Sequence, residues 1–402
     1  MRGVSRTVTL VLVDPGGAPL GALAPYEVAT PWWHEVAEVV DGARAHHGLD
    51  VTVLRLLGAD RPQPHGGAVT YLAECAGRPA PAGLVETPVA PAGPLPGLDP
   101  HPLRAPWARP GGPAASVTWA VDALAALGRA PACAEQRRSW NLSALWRLHG
   151  PWGAAWLKQV PPFFAHEAAV LRWLGAVAPS RVPVLLAASA GRMLLAEVPG
   201  EDCHDAEAAE RIGMLADLHT LQRQALRHAD TLVALGVPDL RPRRLGARLR
   251  EVAARHGAGL PALDALLADL PDRLASVAAC KIPDTLVHGD FHPGNIRGCG
   301  SARVILDWGD CFVGHPAFDV LCMTEDLPEA VAAQVRQAWA VGWRSTVPGC
   351  DPDQALRLLA PVAALRNAAV YAAFVAAIEP AERPYHAADV GFWLHQAVAA
   401  SA

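Results

Sequence analysis

Three short polar residues stand at fixed offsets between two apolar runs in the C-terminal half of the chain. Asp290 lies in Leu286-Val287-His288-Gly289-Asp290-Phe291-His292-Pro293-Gly294-Asn295, so that Asn295 follows it by five positions. Asp307 comes twelve positions later, in Val304-Ile305-Leu306-Asp307-Trp308. Phosphoryl transfer from ATP needs such a set. One carboxylate orients or accepts the proton of an attacking hydroxyl, while an amide oxygen and a second carboxylate hold Mg²⁺ against the phosphates. The flanking runs read as buried strands, Thr285–Val287 and Arg303–Leu306, with Gly and Pro in the loop between them. Polar side chains leaving rigid strand ends are well placed for positioning chemistry.

Of the 34 basic residues only two are lysines, Lys158 and Lys281. Arg has been favoured almost everywhere, yet the two differ where a compact ammonium must touch a phosphate oxygen. Lys158 sits in Ala154-Ala155-Trp156-Leu157-Lys158-Gln159-Val160, which reads as a strand. Nine residues later Glu167 opens a stretch with Val170, Leu171, Leu174 and Val177 at helical spacing.

Composition bounds the rest. A chain of 402 residues is long enough for two or three domains with sizeable cores. No segment offers eighteen consecutive apolar residues, so no membrane span is expected. The N-terminus alternates polar and apolar residues and does not read as a secretory signal. The eight cysteines are scattered without a Cys-x-x-Cys pair, which fits reduced thiols in a cytoplasmic protein rather than a zinc or disulfide frame. The net charge of −5 gives no basic footprint for nucleic acid. Residues 201–402 carry 18 Lys+Arg against 25 Asp+Glu, a surface toward which a cationic substrate would be steered.

The run from His288 to Asp307 resembles the catalytic loop and metal-binding segment of the aminoglycoside phosphotransferase family, small-molecule kinases with a protein-kinase-like fold. The family motif is His-Gly-Asp, four residues and Asn, then an apolar pair, Asp and an aromatic residue; each position is matched here. Gly314-His315-Pro316-Ala317-Phe318-Asp319 resembles the family's continuation, in which an Asp packs under the catalytic loop. The resemblance spans about residues 131–402. It implies an α+β fold of two lobes: a β-rich N-lobe over 131–200 and a helical C-lobe over 201–402. By resemblance Asp290 is the catalytic residue, Asn295 and Asp307 hold Mg²⁺, and Lys158, positioned by Glu167, contacts the α- and β-phosphates of ATP. His288 is expected to shape the loop. The polar turn at Ser139 and Asn141 is expected to cover the nucleotide phosphates, although no Gly-x-Gly-x-x-Gly stands there. Glu197 and Val198, in Leu194-Leu195-Ala196-Glu197-Val198-Pro199-Gly200, are expected to face the adenine with their backbone. Helices are expected over Ala206–Leu221, Leu245–His256, Pro261–Val277 with a break at Pro271, Leu327–Val341 and Asp353–Ala377.

The first 130 residues have a different character. Val8–Val13 reads as a strand, Pro31–His47 as a helix with Trp33, Val36, Val40 and Ala43 on one face, and Val51–Leu57 and Ala68–Glu74 as strands. This order resembles a Nudix domain of α/β type. The helix positions that should carry metal-binding glutamates are Gly42, Ala45 and His46, so the resemblance implies a domain without hydrolysis. Residues 79–114, rich in Pro, Gly and Ala, read as a connector, and Val117–Leu127 as a short helix.

The expected function is transfer of the ATP γ-phosphate to a hydroxyl of a small molecule, an aminoglycoside, choline-like or amino-alcohol acceptor. The alternative is a nucleotide-binding regulator without transfer activity. A protein kinase is disfavoured, because Trp308-Gly309-Asp310 follows Asp307 and only eight residues separate Asp307 from Pro316.

Overall fold

The computed structural model describes residues 5–76, 84–85, 99–257, 259–300 and 302–401. Much of the expected connector therefore lies outside the described residues. The chain divides into two compact units, the first comprising Met1–Pro162, Leu186–Glu197 and Ala373–Ala388, the second Phe163–Leu185, Val198–Ala372 and Asp389–Ala402.

In the first unit, β1 (Arg6–Val13), β2 (Pro19–Leu23), β3 (Tyr26–Val28), α1 (Ala37–His47), β4 (Val51–Ala59), β5 (Gly67–Cys75) and β6 (Leu84–Val85) come first along the chain. Their sheet has the order β4-β5-β1-β2-β6, with β3 also on β1. β1 and β5 run parallel, while β4, β2 and β3 pair antiparallel with their neighbours. Helix α1 covers one face, where Leu10, Leu12, Val39, Ala43 and Tyr71 are fully buried. The helix starts at Ala37 rather than at Pro31. Trp33 is instead drawn into the core, its indole N–H donating to the Gly66 carbonyl at 2.8 Å. The Val36 N–H bonds the Arg137 carbonyl at 3.1 Å, so this segment bridges two strands instead of winding.

Helix α2 (Gly112–Ala126) begins five residues before the expected Val117. Pro113 falls in its first turn, where a missing N–H costs nothing. It packs on a second sheet made of β7 (Cys133–Ser139), β8 (Ala144–Gly150), β9 (Gly153–Gln159), β10 (Leu185–Ser189) and β11 (Arg192–Ala196), in the order β10-β11-β9-β8-β7. Ala120 and Leu124 meet Trp146, Leu148 and Leu157 in that core. The exposed edge of β4 is closed by Gln136 of β7, whose amide donates to the Val53 carbonyl and accepts the Val53 N–H at 2.7 and 2.8 Å. This satisfies backbone groups that an open edge would leave bare.

The second unit is mostly helical. It contains α3 (Glu167–Val177), β12 (Glu201–Asp202), α4 (Ala208–Ala225), α5 (Ala229–Ala234), α6 (Pro242–His256) and α7 (Pro261–Ala279). After these come β13 (Thr285–Val287), β14 (Ile296–Cys299), β15 (Ala302–Ile305), β16 (Phe312–Gly314), α8 (Ala317–Met323), α9 (Glu329–Thr346), α10 (Pro352–Ala377), which continues into the first unit at Ala373, and α11 (Asp389–Ala399). α7 runs through Pro271 unbroken. Leu263, Leu266, Leu270 and Leu274 are all buried along it; that burial outweighs the loss of one intrahelical bond. α10 is long and apolar enough to cross a membrane by length and composition alone, a test that core helices also pass. Val362, Leu365 and Ala368 of this helix are buried within the protein.

Candidate active site

The site is built on two short antiparallel strand pairs of the second unit. β13 pairs antiparallel with β16, Val287 opposite Phe312, and all six residues of the two strands are buried. β14 pairs with β15, Ile296 opposite Ile305. Asp290 follows β13, Asn295 immediately precedes β14, and Asp307 follows β15. The Leu306 N–H donates to the Asn295 carbonyl at 2.8 Å, joining the two segments.

The loop entering Asp290 is held from below. The backbone N–H groups of His288 and Gly289 donate to the two oxygens of Asp319 at 3.0 and 2.9 Å. The Gln222 amide donates to Asp319 at 2.9 Å. Asp319 lies in the first turn of α8 and is 1% exposed. Burial pushes its carboxyl up to about 7, against these donors and the Arg366 charge. Gly289 has φ +86°, and a Cβ there would lie 2.2 Å from the Asp310 carbonyl, so only glycine fits.

His288 is fully buried, which lowers its pKa and keeps the ring neutral. Its Nδ1 faces the Asp290 N–H at 3.4 Å, while Nε2 lies 2.8 Å from the Leu306 carbonyl. The tautomer consistent with both contacts carries its proton on Nε2. The ring therefore ties the Asp290 loop to the segment that presents Asp307.

Asp290 keeps 49% of its side-chain surface accessible. The Asn295 amide nitrogen donates both to its carbonyl at 2.9 Å and to its carboxylate at 3.0 Å. His292 Nε2 stands 3.6 Å from the same carboxylate, and its Nδ1 accepts the Gly294 N–H at 3.1 Å. Crowding by surrounding protein opposes ionisation of Asp290, but the hydrogen bond and the positive charge of His292 outweigh it and hold its pKa below the ordinary value. The group is thus a carboxylate near neutral pH, able to take a proton. With the Asn295 NH₂ spent on Asp290, its amide oxygen is turned away from that carboxylate. An amide oxygen and the Asp307 carboxylate are the hard oxygen donors that suit Mg²⁺.

Asp307 is one of three described non-glycine residues with positive φ, at +56°. Asp tolerates this region better than most residues, and the turn re-aims its side chain at the end of β15. The next residue locks it: the Trp308 N–H donates to the Glu167 carboxylate at 3.2 Å, and the Trp308 indole N–H donates to the Ile305 carbonyl at 3.1 Å. Glu167 opens α3 and is 1% exposed. Trp308 itself is fully buried against His288, with ring centroids 4.7 Å apart, so it is a wedge and not a pocket wall.

Arg366 of α10 is a part of the site that pattern reading missed. It is buried, donates to the Gly289 carbonyl at 2.7 Å, and lies over the Phe312 ring at 4.8 Å. A lone Arg within the apolar stretch from Val362 to Ala369 is the only sequence signal it leaves. Glu325 also borders the site; burial, with Asp290 and Asp326, raises its pKa. Asp326 is engaged by Arg211 at 2.7 and 2.9 Å.

The remaining expected residues belong to, or adjoin, the first unit. Lys158 lies on β9 opposite Met193 of β11 and Leu145 of β8, and is 8% exposed. Ser139 and Asn141 are buried with side chains committed to protein partners. Ser139 donates to the Leu54 carbonyl at 3.0 Å; Asn141 donates to the Glu382 carbonyl at 3.3 Å and contacts His386 at 2.9 Å. The Glu197 side chain accepts from Arg147 at 2.9 Å, and its N–H bonds the Ala154 carbonyl at 3.3 Å. The Val198 carbonyl accepts from Arg297 at 2.9 Å. The chain passes from one unit to the other between these two residues.

Comparison with known proteins bears on this geometry. Residues 143–356, more than half of the chain, match the family described as the phosphotransferase enzyme family. Among solved structures, the GDP complex of wild-type aminoglycoside 2'-phosphotransferase-IIIa is 14% identical, with a TM-score of 0.50 over 71% of this chain and 99% of that one. An ethanolamine kinase from Plasmodium vivax is 9% identical, with a TM-score of 0.50 over 65% of this chain and 79% of that one. A macrolide 2'-phosphotransferase from Brachybacterium faecium is 21% identical, with a TM-score of 0.48 over 67% and 97%. No curated protein matches the sequence. The two likenesses with a TM-score of 0.50 show the kinase-like fold, and the family match extends from the turn before β8 to helix α10, enclosing Lys158, Glu167, Asp290, Asn295 and Asp307. The chain belongs to the phosphotransferase enzyme family, the aminoglycoside phosphotransferase type of small-molecule kinase with an alcohol group as acceptor.

Proposed function

We propose that the protein transfers the γ-phosphoryl group of ATP to a hydroxyl of a small, amine-bearing molecule with Mg²⁺ bound. The observation that carries this reading is Asp290. It is an ionised, accessible carboxylate on a loop whose backbone is fixed by Asp319 and Arg366 and whose side chain is aimed by Asn295. Asp290 takes the proton of the acceptor hydroxyl as that oxygen bonds to phosphorus and the bond to ADP breaks. The Asn295 amide oxygen and the Asp307 carboxylate would hold Mg²⁺, which neutralises charge on the phosphates. Lys158 serves the α- and β-phosphates. Glu197 and Val198 form the segment beside the adenine. With the Ser139 and Asn141 side chains committed elsewhere, any cover that this turn gives the phosphates comes from its backbone.

An amine-bearing acceptor suits the local charge. Asp290, Asp310, Glu325 and Asp389 all act electrostatically on Tyr371, whose ionisation burial and these carboxylates oppose. The acceptors named for similar folds, an aminoglycoside and ethanolamine, combine amine and hydroxyl groups. The N-terminal sheet and α1 serve as a Nudix-like module for recognition or scaffolding without hydrolysis. A Cβ at Gly42 would meet the Tyr26 ring at 2.4 Å, so no carboxylate fits at that helix position. The free thiols suit a cytoplasmic location.

The test is transfer of labelled γ-phosphate from Mg-ATP to a panel of aminoglycosides, choline, amino alcohols and sugars, with Asp290→Asn as control. Product that disappears in the variant supports the reading. Product formed equally by the variant refutes the role of Asp290.

A further inference from the structure

The outer face of β7 and β8, in the first unit, carries three metal-ligand side chains that the transfer chemistry does not use. β7 is the edge strand of its sheet, and Cys133 at its start lies directly opposite His149 of β8. Residues opposite each other on antiparallel strands share a face, as do residues two apart on one strand. Cys133, Glu135 and His149 therefore project together. Leu148, the neighbour of His149, is fully buried in the core with Ala120 and Leu124 of α2, so the trio faces away from that core. The three ligand atoms, a thiol sulfur, a carboxylate oxygen and an imidazole nitrogen, all lie within 4.8 Å of one another. His149 Nε2 is 3.1 Å from Glu135 Oε1.

Two observations separate this trio from an ordinary surface ion pair. Free cysteine is among the most buried residue types, yet of the seven described cysteines Cys133 alone is exposed. The second is that the surrounding arginines are engaged so as to leave the three atoms available. Arg147, opposite Glu135, donates to Glu197 at 2.9 Å. Arg44 of α1, which interacts electrostatically with Cys133, pairs with Asp50 at 2.7 Å. Arg137 reaches Glu135 through Oε2, at 3.7 Å, and so leaves Oε1 to the trio.

We propose that Cys133, Glu135 and His149 bind one Zn²⁺ ion on this face, with water as the fourth ligand. Zinc bonds thiolate sulfur at about 2.3 Å and imidazole nitrogen or carboxylate oxygen at about 2.0–2.2 Å in a tetrahedron. Ligand atoms around such an ion stand roughly 3.3–3.6 Å apart, so side-chain adjustments of about 1 Å close the set. A thiolate and an imidazole select zinc over Mg²⁺ or Ca²⁺, which take oxygen ligands. The thiolate and the carboxylate together neutralise the dication. Arg137 on Oε2 then orients the ligating carboxylate, as partners behind metal ligands commonly do. Glu135 and His149 are 14 positions apart on different strands, so no Cys-x-x-Cys or other local motif marks the site. The ion ties the start of the edge strand to its neighbour. The site is independent of the phosphotransfer reading, and its test needs no turnover.

The experiment is titration of the untagged full chain with Co²⁺, a spectroscopic probe for zinc sites, followed by back-titration with Zn²⁺. Reducing conditions keep the thiols free, and excess Mg²⁺ fills oxygen-only sites. Wild type should take up one Co²⁺ with a thiolate-to-cobalt charge-transfer band in the near ultraviolet. Zn²⁺ should displace it and raise the melting temperature, as a ligand of the folded state does. Cys133→Ser should abolish the band, whereas Cys203→Ser, at another partly accessible thiol, should leave it unchanged. His149→Gln and Glu135→Gln should each weaken zinc binding at least about tenfold, the smallest loss expected even for a group behind a ligand. Thermal melts without metal establish that each variant is folded; if Cys133→Ser is not, His149→Gln and Glu135→Gln decide. No band in wild type overturns the site, as does a band that survives Cys133→Ser. Zinc affinity unchanged in His149→Gln or Glu135→Gln overturns the three-ligand set.

Discussion

Replacing Asp319 by alanine should unfasten the catalytic loop. The side chain accepts three hydrogen bonds, from the His288 and Gly289 backbone and from Gln222. Asp319, His288 and Gln222 are at most 2% exposed, so water does not simply replace the lost acceptor. Each orphaned donor costs about 1–3 kcal/mol. The three together amount to roughly 3–6 kcal/mol after partial relaxation, a large share of the 5–15 kcal/mol that holds a typical domain. Asp319→Asn keeps one acceptor oxygen but turns an NH₂ toward a donor, and should cost about 1–3 kcal/mol. Urea denaturation at pH 8, above the value of about 7 to which burial pushes Asp319, measures both. In a Gln222→Met background one donor is already gone, so Asp319→Ala should cost about 1 kcal/mol less. The same variants should lower kcat at least tenfold, because misplacing a reacting group by about 1 Å can cost ~100-fold. KM for ATP should move little. Asp319→Ala within about 0.5 kcal/mol of wild type would refute the argument, since the bonds would then carry no net energy.

Other expectations follow from the same geometry. Asp307→Asn should abolish Mg-ATP turnover with the fold intact, because Asn also accepts the positive φ of this position; normal turnover would remove Asp307 from the metal site. Glu382 is 3% exposed, and burial, with Glu379 nearby, pushes its carboxyl up to about 8. The unfolded chain then ionises first, so the stability linked to this group is full below about pH 4.5 and is lost as pH rises toward 8. Between pH 5 and 7 wild type should lose about 2–3 kcal/mol relative to Glu382→Gln at ~1.4 kcal/mol per pH unit; parallel urea midpoints for the two proteins would contradict this. Ser139→Ala should cost about 1 kcal/mol of stability through the lost bond to Leu54 and leave KM for ATP unchanged; a raised KM would restore a nucleotide role to that hydroxyl.

Much of the site was legible in the sequence because it is local. Asp290, Asn295 and Asp307 lie within 18 positions beside the short strands β13, β14 and β15, and apolar runs, Gly and Pro mark the strands and turns that position them. The helical second half was legible for a similar reason, since amphipathic spacing reports a buried face. Boundaries failed where a long-range contact outcompeted a local pattern: Trp33 leaves the helical register to donate to Gly66, and the packing of α7 carries it through Pro271.

Other features belong to the tertiary structure alone. Arg366 reaches the Gly289 carbonyl from 77 positions away, and Asp319 reaches the loop from 30. Burial against Leu54, Glu382 and His386 commits the side chains of Ser139 and Asn141 to partners distant in sequence. The sequence by itself determined which groups are available and how neighbours along the chain are spaced. Only the packing of distant segments decided which groups lose water, and therefore which must find a partner.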